Sequence, residues 1–235
     1  MSVLLEVIAT TVADARLAAQ AGADRLELVT AMGEGGLTPS IGLIEAVVEA
    51  VSIPANVIVR PHSRSFVYHA DDFAVMLRDV RAVKAAGANG VVIGMLNDAG
   101  EIERDQLARA IDAAEGLDIT FHRAFDETRD QQKALDVLLG FDAVTNVLTS
   151  GAKASVLDAE PRIRELVRQA SGSRCTVLAG AGLTVDAVAG FVSRTQVEAV
   201  HFGSGVRVGG NGLASVDAEK VARVKAWLNG VAPRD

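Results

Sequence analysis

Several charged and imidazole side chains lie inside or directly after apolar segments, where a protein core normally holds hydrocarbon. Glu6 interrupts LLEVIA and Glu27 interrupts RLELVT. Arg60 follows NVIV, and His122 and Arg123 follow DITF. Because an unpaired charge in an apolar core is costly, such groups need either a partner or a chemical role. We predict that these five residues form one catalytic pocket.

Each residue type in this set suits a step of acid–base chemistry on an anionic ligand. A glutamate can act as general base, which would be Glu6 or Glu27, and His122 can act as acid or electrophile. The guanidinium groups of Arg60 and Arg123 can bind a carboxylate or phosphate through paired hydrogen bonds. Isomerisation, aldol-type cleavage and hydrolysis all fit such a set.

Two glycine-containing segments near the end of the chain predict a second binding site, for an anion. AGAGL at 179–183 and GSG at 203–205 each follow an apolar segment. Without bulky side chains, backbone N–H groups can approach an anion closely. We expect the phosphate or sulfate contacts to come from Gly180, Gly182, Gly203 and Ser204, with Arg60, Arg123 or Arg207 nearby. The alternative is that these glycines only make tight turns.

Eight short apolar segments alternate with eight amphipathic ones along the chain. The predicted strands are 4–9, 25–30, 56–61, 90–96, 118–123, 143–150, 175–180 and 199–205. The predicted helices are 11–21, 40–51, 71–86, 103–115, 130–139, 155–170, 184–193 and 217–229. Strands that are apolar on both faces and alternate with helices indicate parallel pairing. We therefore predict an α/β fold, a single-domain TIM-type (β/α)8 barrel over residues 1–235, with a doubly wound open sheet as the alternative.

A barrel would bring the polar set to one rim, because the carboxyl ends of its strands and the loops that follow them build the active site. A structural alternative remains open for the same residues. Glu6 and Glu27 could pair with Arg60 or Arg123 as a buried ion-pair network. His122 or His201 could each be a hydrogen-bonded core histidine. Taken together, these polar residues favour a functional site over a structural role, because barrel interiors are usually filled with branched apolar side chains.

The composition of the 235 residues excludes several classes of protein. With 49% hydrophobic and 23% charged residues, the chain is neither disordered nor collagen-like. A net charge of −7 argues against a nucleic-acid or anionic-membrane partner. The single cysteine, Cys175, excludes an internal disulfide and a multi-thiolate metal cage. No signal peptide or membrane-spanning run is evident, so we expect a cytoplasmic protein, and a homodimer is plausible.

Several motifs, taken in order along the chain, resemble one known family. They are LEV (5–7), GADRLEL (22–28), GGLTPS (35–40), VRP (59–61), GVVIGML (90–96), TFHRAFD (120–126), LTSG (148–151) and AGAG (179–182). In these motifs the sequence is similar to the CutC proteins, which are named for copper homeostasis. The resemblance implies a TIM-type barrel and a cytoplasmic protein tied to copper handling, in a family without an established catalytic activity.

The sequence departs from the family pattern where copper would be expected to bind. Family members commonly carry cysteine directly after the LEV strand and after the GADR-led strand, but this chain has Ile8 and Val29 there. Soft thiolates are the ligands that Cu(I) prefers, so we expect weak Cu(I) binding or none. The resemblance then implies copper only through imidazoles, which suit Cu(II). The candidate metal ligands are His62, His122 and His201.

Three functions therefore remain in view. The first is a CutC-family role in copper homeostasis. The second is an isomerase, lyase or hydrolase acting on a small anionic or phosphorylated metabolite. The third is a barrel that binds a ligand without catalysis. Fold alone does not choose among them, because one barrel architecture supports many activities.

Overall fold

The computed structural model describes residues 3–230 and shows a closed barrel of eight parallel strands that pair in chain order. The strands are β1 (Leu4–Ala9), β2 (Arg25–Leu28), β3 (Ala55–Ile58), β4 (Gly90–Ile93), β5 (Asp118–Phe121), β6 (Val144–Thr149), β7 (Thr176–Gly180) and β8 (Ala199–Phe202). β8 pairs with β1 and closes the barrel. The predicted (β/α)8 barrel is confirmed, and the open sheet is wrong. Of the predicted domain 1–235, residues 1–2 and 231–235 lie outside the described residues.

A helix follows every strand and covers the outside of the barrel. The helices are α1 (Val12–Gln20), α2 (Ile41–Ala50), α3 (Ala70–Ala85), α4 (Arg104–Ala114), α5 (Gln131–Leu139), α6 (Glu160–Ala170), α7 (Val188–Thr195) and α8 (Ala218–Gly230). Side-chain oxygens of Thr11, Ser40 and Asp130 cap α1, α2 and α5, as their residue types favour. Over residues 3–230, no helix combines the length and the apolar character needed to cross a membrane.

Two helices differ from their predicted bounds for local reasons. α7 begins at Val188 rather than near 184, because the Thr184 hydroxyl accepts the N–H of Ala187 and holds a turn first. The predicted helix 155–170 is divided into a 3-10 turn (Val156–Ala159) and α6, which has proline in its first turn. Proline suits a helix start, where its missing N–H would have no intrahelical partner.

The barrel interior is polar at mid-height, unlike the apolar layer between strands and helices. Glu6, Arg25, Asn56, Thr120 and Asn146 are all buried. Because side chains alternate along a strand, Arg25 and Glu27 point to the same side of β2. The parallel register sets Glu6 opposite Arg25 on β2 and opposite His201 on β8. Three neighbouring strands therefore bring ionisable groups together inside the barrel.

Candidate active site at the barrel mouth

The carboxyl ends of the strands open on a cavity of about 490 Å³, a volume within the range of small-molecule sites. Four of the five predicted catalytic residues line it: Glu27, Arg60, His122 and Arg123. Three of the four predicted anion-site residues also line it: Gly182, Gly203 and Ser204. His201 is a further lining residue. Glu6 does not line the cavity, so the predicted common pocket is wrong for this residue, and Gly180 of the predicted anion site does not line it either.

Glu6 lies two residues before the cavity-lining Ile8 and belongs to a buried ion-pair network. Its carboxylate accepts the Nε–H of Arg25 at 2.5 Å and lies 2.8 Å from Nδ1 of His201. Arg25 also donates to the Asn146 side chain at 3.3 Å. The predicted pairing of Glu6 with Arg60 or Arg123 is wrong, because the β1–β2 register puts Arg25 directly beside it. The alternation that sets Arg25 on the same face as Glu27 could have revealed this partner.

The charges of this network favour the protonated form of His201. Burial alone would raise the pKa of Glu6, but Arg25 and His201 lower it below its ordinary value. Burial alone would lower the pKa of His201, yet the Glu27 charge and the hydrogen bond to Glu6 raise it. With Glu6 ionised, Nδ1 of His201 carries a proton, and Nε2 lies 3.7 Å from the Glu27 carboxylate.

Glu27 is suited to act as a general base or acid. It is 4% exposed, and burial is the main cause that raises its pKa to about 7, with the nearby Glu6 charge adding to the effect. A carboxyl with a pKa near the working pH is present in both protonation states, which is the condition for efficient proton transfer. The sequence predicted the residue but not its protonation state, which depends on burial.

His122 is held as a neutral imidazole with a free ring nitrogen. Its Nδ1 accepts the N–H of Ala124 at 3.1 Å, so the proton lies on Nε2. Burial, and then the charge of Arg60, lower its pKa to about 3. Gly94 leaves room for the ring, because a Cβ there would lie 2.4 Å from Nδ1. The Nε2–H group is buried without a partner among the described residues and can donate to a ligand oxygen.

The two predicted clamp arginines are already partly bonded to protein. One terminal nitrogen of Arg60 donates to the carbonyls of Glu34 and Gly36 at 2.9 and 3.2 Å. Arg123 donates from Nε to Asp126 at 2.8 Å and from a terminal nitrogen to Ser150 at 3.0 Å. The loop after β2 takes up one terminal nitrogen of Arg60, and the Ser63 carbonyl accepts from the other at 3.5 Å. Nε of Arg60 has no partner among the described residues and remains the donor for a ligand. Arg123 keeps free donors, and its side chain is 45% exposed.

The loops after β7 and β8 form the wall predicted to bind an anion. Among the described residues, the N–H groups of Gly182 and Ser204 have no recorded acceptor. Gly180 is packed inward instead, and a Cβ there would lie 2.8 Å from Leu148 and 3.1 Å from His201. Arg207 does not reach the cavity.

Arg207 holds the loop after β8 rather than a ligand. It is 1% exposed and lies 3.1 Å from the Asp14 carboxylate. It also donates to the carbonyls of Ala214 and Ile8. The expectation that Arg207 supplies charge to a bound anion is therefore wrong, because its donors are directed to β1, α1 and its own loop.

The three predicted metal ligands do not share a site. His62 lies beside Asp72, with Nε2 3.4 Å from the carboxylate, whereas His122 is bonded to Ala124 and His201 to Glu6. Over residues 3–230, the group with converging ligand atoms is Glu6, Glu27 and His201, whose atoms lie within 4.8 Å of one another. Of the three candidate ligands, His201 belongs to this cluster, and its partners there are the two glutamates.

Comparison with known proteins agrees with this architecture. The family model described as CutC family matches residues 3–206. A CutC family protein of Pasteurella multocida is 40% identical over 205 residues, covering 87% of this chain and 83% of the relative. The human copper homeostasis protein cutC homolog is 40% identical over 183 residues, covering 77% of this chain and 66% of the relative.

A solved structure shows the same fold. The crystal structure of CutC from Streptococcus agalactiae superposes with a TM-score of 0.80 at 27% identity, covering 85% of this chain and 97% of that one. The family model and the relatives cover well over half of this chain. The chain therefore belongs to the CutC family.

Proposed function

We propose that this chain serves copper homeostasis, the role for which its human relative is named, by acting on a small anionic ligand at the barrel mouth. The anionic ligand is inferred from one observation. The same cavity holds a buried cationic arginine, Arg60, and a glutamate whose pKa is about 7, Glu27. A cation can bind the ligand while the carboxyl exchanges a proton with it.

The chemistry that fits is proton transfer next to a carbonyl or hydroxyl group. Glu27 would remove the proton as general base, and His201, held by its hydrogen bond to Glu6, would stabilise the ionised form of Glu27. The neutral Nε2–H of His122 would polarise the ligand oxygen without being an acid strong enough to lose its own proton. Isomerisation and aldol-type cleavage use these roles directly, and hydrolysis is compatible with them.

A phosphate or another anionic group of the ligand would lie at the loops after β7 and β8. Gly182, Gly203 and Ser204 line this wall, and small residues leave the backbone N–H groups accessible. Arg123, with its half-exposed side chain, would supply the positive charge. In barrels of this architecture phosphate sites commonly occupy this position.

Calorimetry with inorganic phosphate, 2-phosphoglycolate and ribose 5-phosphate tests the anionic ligand. We expect heat of binding from at least one phosphorylated probe in the wild type. Gly203→Asp should abolish it by like-charge repulsion, whereas Gly203→Asn, which has nearly the same shape without the charge, should retain it. No heat from any probe, or equal loss in the two variants, would contradict the anion site.

Copper binding at the mouth is a second candidate, favoured by the cluster of Glu6, Glu27 and His201. Imidazole and carboxylate ligands suit Cu(II), whereas Cu(I) prefers thiolates and thioethers. If copper binds, Glu27 and His201 would hold it, with Glu6 orienting the imidazole through Nδ1. Electron paramagnetic resonance of added Cu(II) would show nitrogen coupling in the wild type and lose it in His201→Asn. An unchanged spectrum in that variant would exclude this cluster.

The thiol of Cys175 is expected to take no part in copper binding. Burial raises its pKa to about 12, and the residue precedes β7 at the end of the barrel opposite the cavity. A protonated, buried thiol is a poor nucleophile and metal ligand. We expect no reaction with a chromogenic disulfide reagent at pH 8 until the protein is unfolded. In competition with a chromophoric chelator, stoichiometric Cu(I) retained by Cys175→Ser would reveal a site elsewhere.

A cytoplasmic location and a homodimer stay predictions. Sedimentation analysis of the purified chain would test the dimer directly.

A further inference from the structure

Arg60 differs from the other buried arginines in lacking an anionic partner. Three arginines are buried within residues 3–230: Arg25, Arg60 and Arg207. Arg25 is paired with Glu6 and Arg207 with Asp14. Arg60 is 7% exposed, and its bonds go to the carbonyls of Glu34, Gly36 and Ser63. Carbonyl dipoles do not neutralise a full charge. A buried guanidinium that is bonded only to carbonyl groups would therefore be stabilised by binding an anion.

Three polar atoms around this arginine lack hydrogen-bond partners among the described residues. They are Nε of Arg60, the Tyr68 hydroxyl and Nε2 of His122, and all three are buried. Arg60 and His122 are neighbours because both lie against the Phe66 ring. The charge of Arg60 acts on Tyr68 as well, where it partly offsets the effect of burial on the pKa. Burial raises the pKa of Tyr68 to about 12, so its hydroxyl keeps its proton. Each of the three groups therefore has an N–H or O–H that can donate to a ligand oxygen.

One aromatic ring covers two of these donors. The Phe66 ring centroid lies 4.8 Å from the Arg60 guanidinium carbon and 5.0 Å from the His122 ring centroid. Phe66, Arg60 and His122 all line the mouth cavity.

Acidic side chains near the donors are mostly engaged elsewhere. The Asp72 carboxylate lies beside His62 and Arg64. The Glu34 carboxylate accepts the Ser63 hydroxyl. Glu127, which lines the cavity, has no recorded ion pair among the described residues and is the protein group that could compete for the donors.

We propose that Arg60, Tyr68 and His122 form a buried subsite for the carboxylate of a small carboxylic acid ligand, covered by Phe66. The inference rests on the proposed function and specifies its ligand. One positive charge and three donors match a monoanionic group with two oxygens, while the loops after β7 and β8 remain available for a second anionic group. A carbonyl next to the carboxylate would then lie within the cavity that Glu27 lines.

Nuclear magnetic resonance of protein labelled with 15N-arginine and 15N-histidine tests this subsite. The probe is pyruvate, with its neutral amide, pyruvamide, as control. Assignment uses Arg60→Lys and His122→Gln. We expect pyruvate to shift both the Arg60 Nε–H and the His122 Nε2–H resonances, and pyruvamide to shift neither. Arg60→Lys should weaken pyruvate binding at least tenfold, whereas Arg64→Lys, the same exchange at an exposed position of the same loop, should leave it unchanged.

The outcomes separate this inference from the proposed function. If pyruvate binds and shifts Arg123 but neither Arg60 nor His122, the subsite is wrong and an anionic ligand at the mouth survives. If neither pyruvate nor any phosphorylated probe binds, the proposed function and the subsite both fail. If Glu127→Gln shifts the Arg60 Nε–H resonance in the free protein, Glu127 is the partner and the subsite is overturned.

Discussion

Replacement of Glu6 by glutamine is expected to destabilise the folded protein by about 3–5 kcal/mol at pH 7. The substitution removes the negative charge between Arg25 and His201, both of which are buried. Two buried groups that favour positive charge would then lose the carboxylate that both of them contact, and only Glu27, 3.7 Å from His201, would remain to offset them. Urea denaturation followed by circular dichroism measures the loss.

The control for this prediction is Glu45→Gln, because Glu45 is an exposed glutamate on α2. Exposed substitutions away from special contacts usually change stability by less than about 0.5 kcal/mol. A loss of under about 1 kcal/mol for Glu6→Gln would show that the network is solvated or neutral in solution.

The opposite result is expected for the neighbouring glutamate, since Glu27→Gln should stabilise the protein by about 2–3 kcal/mol at pH 8. Burial raises the pKa of Glu27 from 4.5 to about 7 in the folded state. The folded state therefore binds the proton more tightly than the unfolded state, so stability falls as the pH rises between these two values. The full difference corresponds to about 3 kcal/mol, and the attraction to His201 is already included in that pKa.

Denaturation of the wild type and Glu27→Gln at several pH values tests this. The two proteins should be similarly stable near pH 4, where the carboxyl is protonated in both states, and should diverge up to about pH 7. Parallel curves across this range would mean that Glu27 titrates normally. A residue whose removal stabilises the fold is retained for another reason, and chemistry at the mouth would be that reason.

The pattern of apolar residues was sufficient to predict the barrel, because this pattern identifies whole strands and helices. The runs LLEVIA and TVLAG each correspond to a strand of the structure. The pattern did not predict where the strands end. β2 ends at Leu28, although the apolar segment continues to Val29. Where a strand stops depends on hydrogen bonds with its neighbours, which the run itself does not contain.

The candidate site was predictable in its location but not in its pairings. Residue type and position at strand ends brought Glu27, Arg60, His122 and Arg123 to one cavity. Which cation neutralises Glu6 depends on the register between β1 and β2, and the sequence leaves Arg25, Arg60 and Arg123 as competitors. That the loop after β2 occupies one terminal nitrogen of Arg60 depends on the conformation of that loop, and loop conformation leaves no periodic pattern in the sequence.

The hydrogen bonds of Arg207 join the end of the chain to its beginning, and this affects how the chain folds during translation. This side chain and the N–H of Val216 both bond Asp14 in α1, and Arg207 also bonds the Ile8 carbonyl of β1. A ribosome adding about 5–20 residues per second needs about 10–40 s to go from Ile8 to Val216. During that time β1 has an unpaired edge, which is a template for aggregation. Chaperone dependence during translation should therefore be higher than the stability of the finished barrel would suggest.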